Sequence, residues 1–206
     1  MTGSTWISSD LHLGHKFVAE LRGFKNAADH DAEIIGNLSK ARPGDQVWIL
    51  GDISSGSSTG ERHALQLLDE FAAERGVALH LIAGNHDTVN PYHRDAHKRF
   101  KAFTDVFTTV QPFARRRANG INVWLSHFPW HGAGDRGEGE RFSEVRLHDN
   151  GRDFLVHGHL HGARGRWTGD RSIDVGLENT GFRPLDWSHV VAMVSERAVE
   201  LKGMDT

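Results

Sequence analysis

Phe154-Leu155-Val156-His157-Gly158-His159-Leu160-His161 decides how the chain is read: a short apolar run passes directly into three histidines at alternate positions. The same construction occurs four more times. Trp6-Ile7 precedes Asp10-Leu11-His12, and Val47-Trp48-Ile49-Leu50 precedes Gly51-Asp52. Residues 79–83 precede Gly84-Asn85-His86-Asp87, and Val123-Trp124-Leu125 precedes Ser126-His127. Apolar runs this short, rich in Val, Ile and aromatics, read as buried strands. Polar donors are therefore presented from the ends of several strands, where open α/β sheets build their sites. Imidazole, carboxylate and amide groups gathered there point to a transition-metal centre.

Between the runs the period changes. Residues 29–40 place Ile34, Ile35 and Leu38 on one helical face, and 61–74 do the same with Ala64, Leu65, Leu68, Phe71 and Ala72. A third helix is expected over 92–103, starting near Pro91. A last one, capped by Asp186, is expected to run through Trp187, Val190, Val191 and Val194, with a Val-rich strand as the alternative there. Residues 54–60 and 131–139 read as loops that flank the site. Arg115-Arg116-Arg117 precedes the hairpin signal Asn119-Gly120, so these arginines are expected on an exposed strand rather than on nucleic acid. Trp6, Trp48 and Trp124 are expected in the core, and Trp130 near the pocket.

Composition narrows the rest. The chain has 206 residues, 38% hydrophobic and 25% charged, and one domain over 1–206 is expected. It has no cysteine, which excludes thiolate metal sites and a cysteine nucleophile and fits a reducing cytoplasm. No apolar segment approaches the roughly 20 residues of a membrane span, and no secretory signal is expected. A net charge of −3 gives no global attraction to nucleic acid.

Taken singly, the motifs are weak. Asp10 and His12, like His159 and His161, stand two apart, and in extended backbone such a pair points to one side and can grip a cation. Asp52 could equally cap a turn, Asn85 could be a turn residue and His127 a core histidine. Taken together and in this order, D-x-H, GD, GNHD, SH and GH-x-H resemble the calcineurin-like metallophosphoesterases. Ser9-Asp10-Leu11-His12-Leu13-Gly14-His15, Ser126-His127-Phe128-Pro129 and Asp174-Val175-Gly176-Leu177 resemble a compact bacterial and phage branch of that family.

The resemblance implies a four-layer αββα sandwich, two mixed sheets flanked by helices. It implies two divalent cations, one held by Asp10, His12 and His161, the other by Asn85, His127 and His159, with Asp52 bridging. Manganese is the expected ion, with Fe, Zn²⁺ and Ni²⁺ as alternatives. Two such ions about 3.5–4 Å apart can clamp an in-line phosphoryl displacement, and a bridging water is acidified enough to attack as hydroxide. His86 is expected beside the substrate as a proton donor, with Arg22 and Asn85 as substrate contacts, since guanidinium matches phosphate. His157 is expected to orient a ligand or backbone rather than bind metal.

The expected activity is hydrolysis of a small, nucleotide-type phosphodiester, 2′,3′-cyclic nucleotides included. A nuclease on DNA or RNA and a metal-bound scaffold without activity are the alternatives. Against a phosphoprotein substrate, the second motif continues Ile53-Ser54-Ser55 rather than with an acid and arginines. The acidic partner of His86 is thereby missing: either Asp87 takes that role or no residue does.

Overall fold

The structure, a computed structural model, describes residues 3–204. Two five-stranded sheets form the frame. The first contains β1 (Thr5–Ser8), β2 (Gln46–Ile49), β3 (Ala78–Ile82) and β4 (Thr109–Gln111), mutually parallel, with β10 (Leu185–Asp186) antiparallel on the β1 edge. The second runs in the order β5 (Phe113–Ala118), β6 (Ile121–Ser126), β7 (Phe154–His157), β9 (Ser172–Asp174) and β8 (Trp167–Gly169). In it β6, β7 and β9 are parallel and the two edge strands antiparallel. The fold is thus α/β with two mixed sheets flanked by helices, as the resemblance implies. Among the described residues no helix is long and apolar enough to cross a membrane.

Strand alternation explains why the apolar runs are continuous. In the first sheet Val47, Ile49, Leu79 and Leu81 face helices, while Ile7, Trp48, Leu50 and Ile82 face the second sheet. Both faces are buried, so both registers are mainly apolar, and the polar His80 among them stacks on Trp48 and bonds Thr109 Oγ1. Beyond the short α1 (Lys16–Leu21), the helix-side core is closed by α2 (Ala27–Leu38), α3 (Ser58–Arg75) and α4 (Ala96–Thr104), through Ile34, Leu38, Leu68, Phe71 and Phe103, and Leu177 of the short α5 (Leu177–Thr180) joins it. The core between the sheets takes Val123, Leu125, Val156 and Ile173 from the second sheet and Val190, Val194 and Leu201 from α6 (Trp187–Met204). Asp186 does cap this last helix, accepting the Ser188 N–H at 2.7 Å, so the strand alternative fails.

Several boundaries differ from the sequence reading. The second helix of the triplet starts at Ser58, because Ser57 Oγ accepts the Gly60 N–H, so the loop after Asp52 ends at Ser57. Residues 92–95 are not helical: Asn90 turns its side chain to the Ala83 carbonyl and the Tyr92 N–H, and α4 begins only at Ala96. Arg115 and Arg117 are exposed on β5, but Arg116 lies over the Trp187 and Trp48 rings, 4.9 and 5.6 Å from their centroids. Trp48 is buried, whereas Trp6 and Trp124 are half-buried and donate their indole N–H to Asp45 and Asp153.

Asp45 also accepts the N–H groups of Ser4 and Arg42, at 2.7 and 3.0 Å, and so ties the start of β1 to the turn before β2. Burial raises its pKa, but these donors outweigh it and hold the carboxyl below the usual range. Asp45→Ala should cost about 1–3 kcal/mol at pH 7 by urea unfolding. A depressed folded pKa stabilises above the unfolded value of about 3.9 and is lost as pH falls through the folded value. The gap between wild type and variant should therefore close below about pH 4; a gap that persists unchanged at pH 3 would refute the role given to Asp45.

Candidate metal centre

The five motifs meet where the two sheets meet. Ser9, just past β1, forms a parallel bridge to Gly176, just past β9, and Gly158 N–H donates to the His127 carbonyl. The first two motif loops continue side by side beyond their strands, Asp10 N–H donating to Gly51 O and His12 N–H to Asp52 O, both at 3.0 Å. His159 N–H reaches the Asp10 carboxylate from the other sheet, at 3.0 and 3.2 Å.

The backbone here is not extended. Asp10, His12, Asp52, His159 and His161 all have left-handed φ, from 49° to 72°. Such φ is uncommon outside glycine and costs of order 1–3 kcal/mol per residue, so the surroundings must enforce it. Asp10 and His12 do share a side, but on left-handed rather than extended backbone, whereas His159 and His161 turn to different donor groups. Arg22 enforces the first turn. Its guanidinium donates to the carbonyls of Asp10 (2.8 Å) and Leu11 (3.1 Å) and to Glu178 Oε1 (2.8 and 3.0 Å), and its side chain is only 3% exposed. The expected reach of Arg22 towards a substrate phosphate is therefore not what the structure has. Asp87 enforces the second turn, accepting the N–H groups of Asp52, Ile53 and Gly84 at 2.8–3.0 Å. Burial and the nearby Asp52 charge push Asp87 up to about 7. It supports the loop and does not orient His86, whose Nδ1–H goes to the Ser55 carbonyl.

The donor atoms fall into two groups. Asp10, His12 and His161 bring ligand atoms together, with His12 Nε2 and His161 Nε2 only 3.1 Å apart. Asp10, Asp52 and His127 form a second such cluster. Around His127 Nε2 lie Asn85 Oδ1 at 3.1 Å, His159 Nδ1 at 3.3 Å and Asp52 Oδ2 at 3.5 Å. Asp52 Oδ2 is also 3.8 Å from His12 Nε2, so it lies between the groups.

The outer nitrogens fix the tautomers. His12 Nδ1 and His127 Nδ1 face the carbonyls of Ser54 and Leu50, at 3.1 and 2.8 Å. A carbonyl only accepts, so these nitrogens carry hydrogen. His161 Nδ1 faces Glu178, held down to about 2 against burial by His161 and Arg22, and His159 Nε2 faces Asp135, held below the usual carboxylate range. Each inner nitrogen of a neutral ring is then a lone pair. Lone pairs converge at 3.1 and 3.3 Å with no hydrogen between them, beside an amide oxygen and carboxylates. That arrangement fits a cation at each group, with N and O donors suited to a first-row divalent metal. Protonation is the alternative relief, and it splits each pair. Burial and the neighbouring His161 push His12 well down, while Glu178 and Asp10 lift His161 despite burial. Burial and His127 drive His159 down to about 2, while Asp52 and Asp10 lift His127 despite its burial.

His157 stays outside the donor groups, bonded to Gly158 O and Thr168 Oγ1. His86 stands at the rim: its backbone N–H donates to Asp52 Oδ1 at 2.8 Å, its Nε2 lies 3.9 Å from Asp52 Oδ2, and its side chain is 38% exposed. Glu178 and Asp135 were not singled out in the sequence. Each is one acid with no local pattern, although Glu178 directly follows the Asp174-Val175-Gly176-Leu177 stretch.

Comparison with known proteins agrees with this geometry. The family model for calcineurin-like phosphoesterases matches residues 3–163, and the chain belongs to that family. The Gene 66 proteins of Mycobacterium phages L5 and D29 are 44% and 40% identical over 168 and 164 residues, 76% of this chain in each case and 76% and 77% of theirs. A protein of unknown function from Aquifex aeolicus, AQ665, shares the fold with a TM-score of 0.65 at 21% identity, covering 92% of this chain and 98% of its own.

The closest approach in the site is at Gly158, where an added Cβ would overlap the Ser9 hydroxyl and the Asp10 carboxylate. Gly158→Ala should therefore destabilise the metal-free protein by about 1–3 kcal/mol in chemical unfolding. It should also weaken Mn²⁺ uptake, because the Asp10 carboxylate must move together with the Ser9 hydroxyl. Unfolding and uptake both unchanged would contradict this packing.

Proposed function

We propose that the chain is a dinuclear phosphodiesterase acting on small nucleotide-type diesters. One cation would be held by Asp10, His12 and His161, the other by Asn85, His127 and His159, and Asp52 would bridge them. The observation that carries this is the convergence of inner imidazole nitrogens on Asn85 Oδ1 and the two aspartates, with every outer nitrogen already spent on a carbonyl or carboxylate. Divalent ions held there would supply Lewis acidity at a phosphoryl oxygen and acidify water at neutral pH.

The protein's own groups supply the rest. His86 Nδ1–H is committed to Ser55 O, which leaves Nε2 as the atom that can pass a proton to a departing alkoxide. A diester has such a leaving group. Arg22 is turned inward, so the extra charge of a monoester dianion loses the guanidinium clamp expected for it. Tyr92, 44% exposed, packs edge-on against Phe142 at 5.0 Å, and Phe142 against His159 at 5.8 Å. This aromatic ledge next to the donor groups suits stacking of a nucleobase.

Two measurements test the reading. Asp52→Ala should lose metal by elemental analysis and abolish turnover of a model diester; full occupancy in the variant would sink the bridging role. A wild-type protein that splits neither model diester nor model monoester with added Mn²⁺ would make it a scaffold. The second measurement concerns His86→Ala, which should keep its metals yet lose about 10²–10⁴-fold on a nucleotide diester, with a much smaller loss on a nitrophenyl diester whose leaving group needs no proton. Equal losses on both substrates would make His86 a stabiliser of phosphoryl charge instead.

A further inference from the structure

We infer that the segment from His131 to Arg146 is a clamp that positions His159 for the second cation, with Asp135 as the positioning residue; this rests on the dinuclear reading above. The segment is organised around two buried charged side chains. Arg146, whose side chain is fully buried, donates to Asp135 Oδ2 and Gly134 O, both at 2.8 Å, and to Arg141 O at 3.1 Å. Glu140 accepts the N–H groups of Gly132 and Gly134, at 2.8 and 3.2 Å. Asp135, only 2% exposed in its side chain, accepts the Arg136 N–H at 2.7 Å and Arg141 Nη2 at 2.8 Å. These bonds leave Asp135 fixed in place with one oxygen 3.0 Å from His159 Nε2.

That contact does for His159 what Glu178 does for His161. Each carboxylate is held by an arginine, Arg146 or Arg22, and each takes the outer N–H of one imidazole. The two act on different nitrogens. Glu178 takes Nδ1–H and turns Nε2 of His161 inward, whereas Asp135 takes Nε2–H and turns Nδ1 of His159 towards Asn85 Oδ1, 2.9 Å away. Arg141 Nη2 lies 3.5 Å from the same His159 Nε2 and would favour the opposite tautomer. The shorter contact, to the Asp135 carboxylate, prevails. Phe128 and Phe142 close the ring in from the sides, with centroids 5.2 and 5.8 Å away. The function of this Gly- and charge-rich segment is thus to hold one ligand, and the second cation depends on it while the first does not.

The tautomer is read directly from imidazole ¹⁵N shifts in metal-free wild-type protein at neutral pH. His159 should be neutral with hydrogen on Nε2; hydrogen on Nδ1 would overturn the inference without any variant. Calorimetric titration with Mn²⁺ gives the second arm. Wild type should take up two ions, and Asp135→Asn should keep the first at wild-type affinity while the second weakens about 10–100-fold. Glu178→Gln should show the loss at the other ion. Two ions bound by Asp135→Asn with wild-type affinity would overturn the clamp and leave the dinuclear reading standing. No uptake by the wild-type protein would overturn both.

Discussion

The crowding of inner imidazole nitrogens within 3.1 and 3.3 Å of one another, relieved by a cation or by a proton on one ring of each pair, is the constraint on which the rest of the structure depends. Four imidazoles, an amide oxygen and two carboxylates converge, and the outer nitrogen of each imidazole already faces a carbonyl or carboxylate. Such a cluster repels itself in a buried setting, so it must be held by something stiffer than its own contacts. The surrounding fold supplies that stiffness. Of the left-handed positions, Asp10 is fastened by Arg22, which donates to the Asp10 and Leu11 carbonyls, to Glu178 and to the His30 ring, and Asp52 by Asp87, which accepts three backbone N–H groups.

The sheets serve the same end. Parallel strands buried on both faces end together, so their loops emerge at one edge, and the cross-sheet bridge at Ser9 and Gly176 aligns the edges of both sheets. Large side chains between the layers leave little freedom for one sheet to slide on the other. The loops can then keep closely approaching donors in place, with Gly158 admitting the Asp10 carboxylate where any side chain would collide.

Much of this was legible in the sequence. The donor positions stood out because each follows an apolar run, and α/β sheets gather groups at strand ends. What was not legible has physical reasons. An i, i+2 spacing fits both an extended strand and a loop with left-handed residues at both positions, and only the partners of Asp10 and His12 distinguish them. Arg22 has a guanidinium suited to phosphate, but the same fork suits a carboxylate and two carbonyls, and the inward set won. Strands β4, β8, β9 and β10, three residues or fewer, are too short to show an alternation. The start of α4 moved because the Asn90 side chain competed for backbone groups, a local preference that a helical period does not reveal. Glu178 and Asp135 act through ring nitrogens far away in sequence, so nothing beside them in the chain announces them.

The division of ligands between the sheets has a consequence for biogenesis. Asp10, His12, Asp52 and Asn85 lie on loops of the first sheet, whereas His127, His159 and His161 lie on loops of the second. Neither group of donors is complete in one sheet. A ribosome-bound or half-assembled chain therefore offers any passing ion only fragments of a cage. For ions bound as proposed, the choice would be deferred until the two halves have docked, and would then be made by the finished geometry rather than by whichever metal is most abundant or clings most tightly to loose histidines.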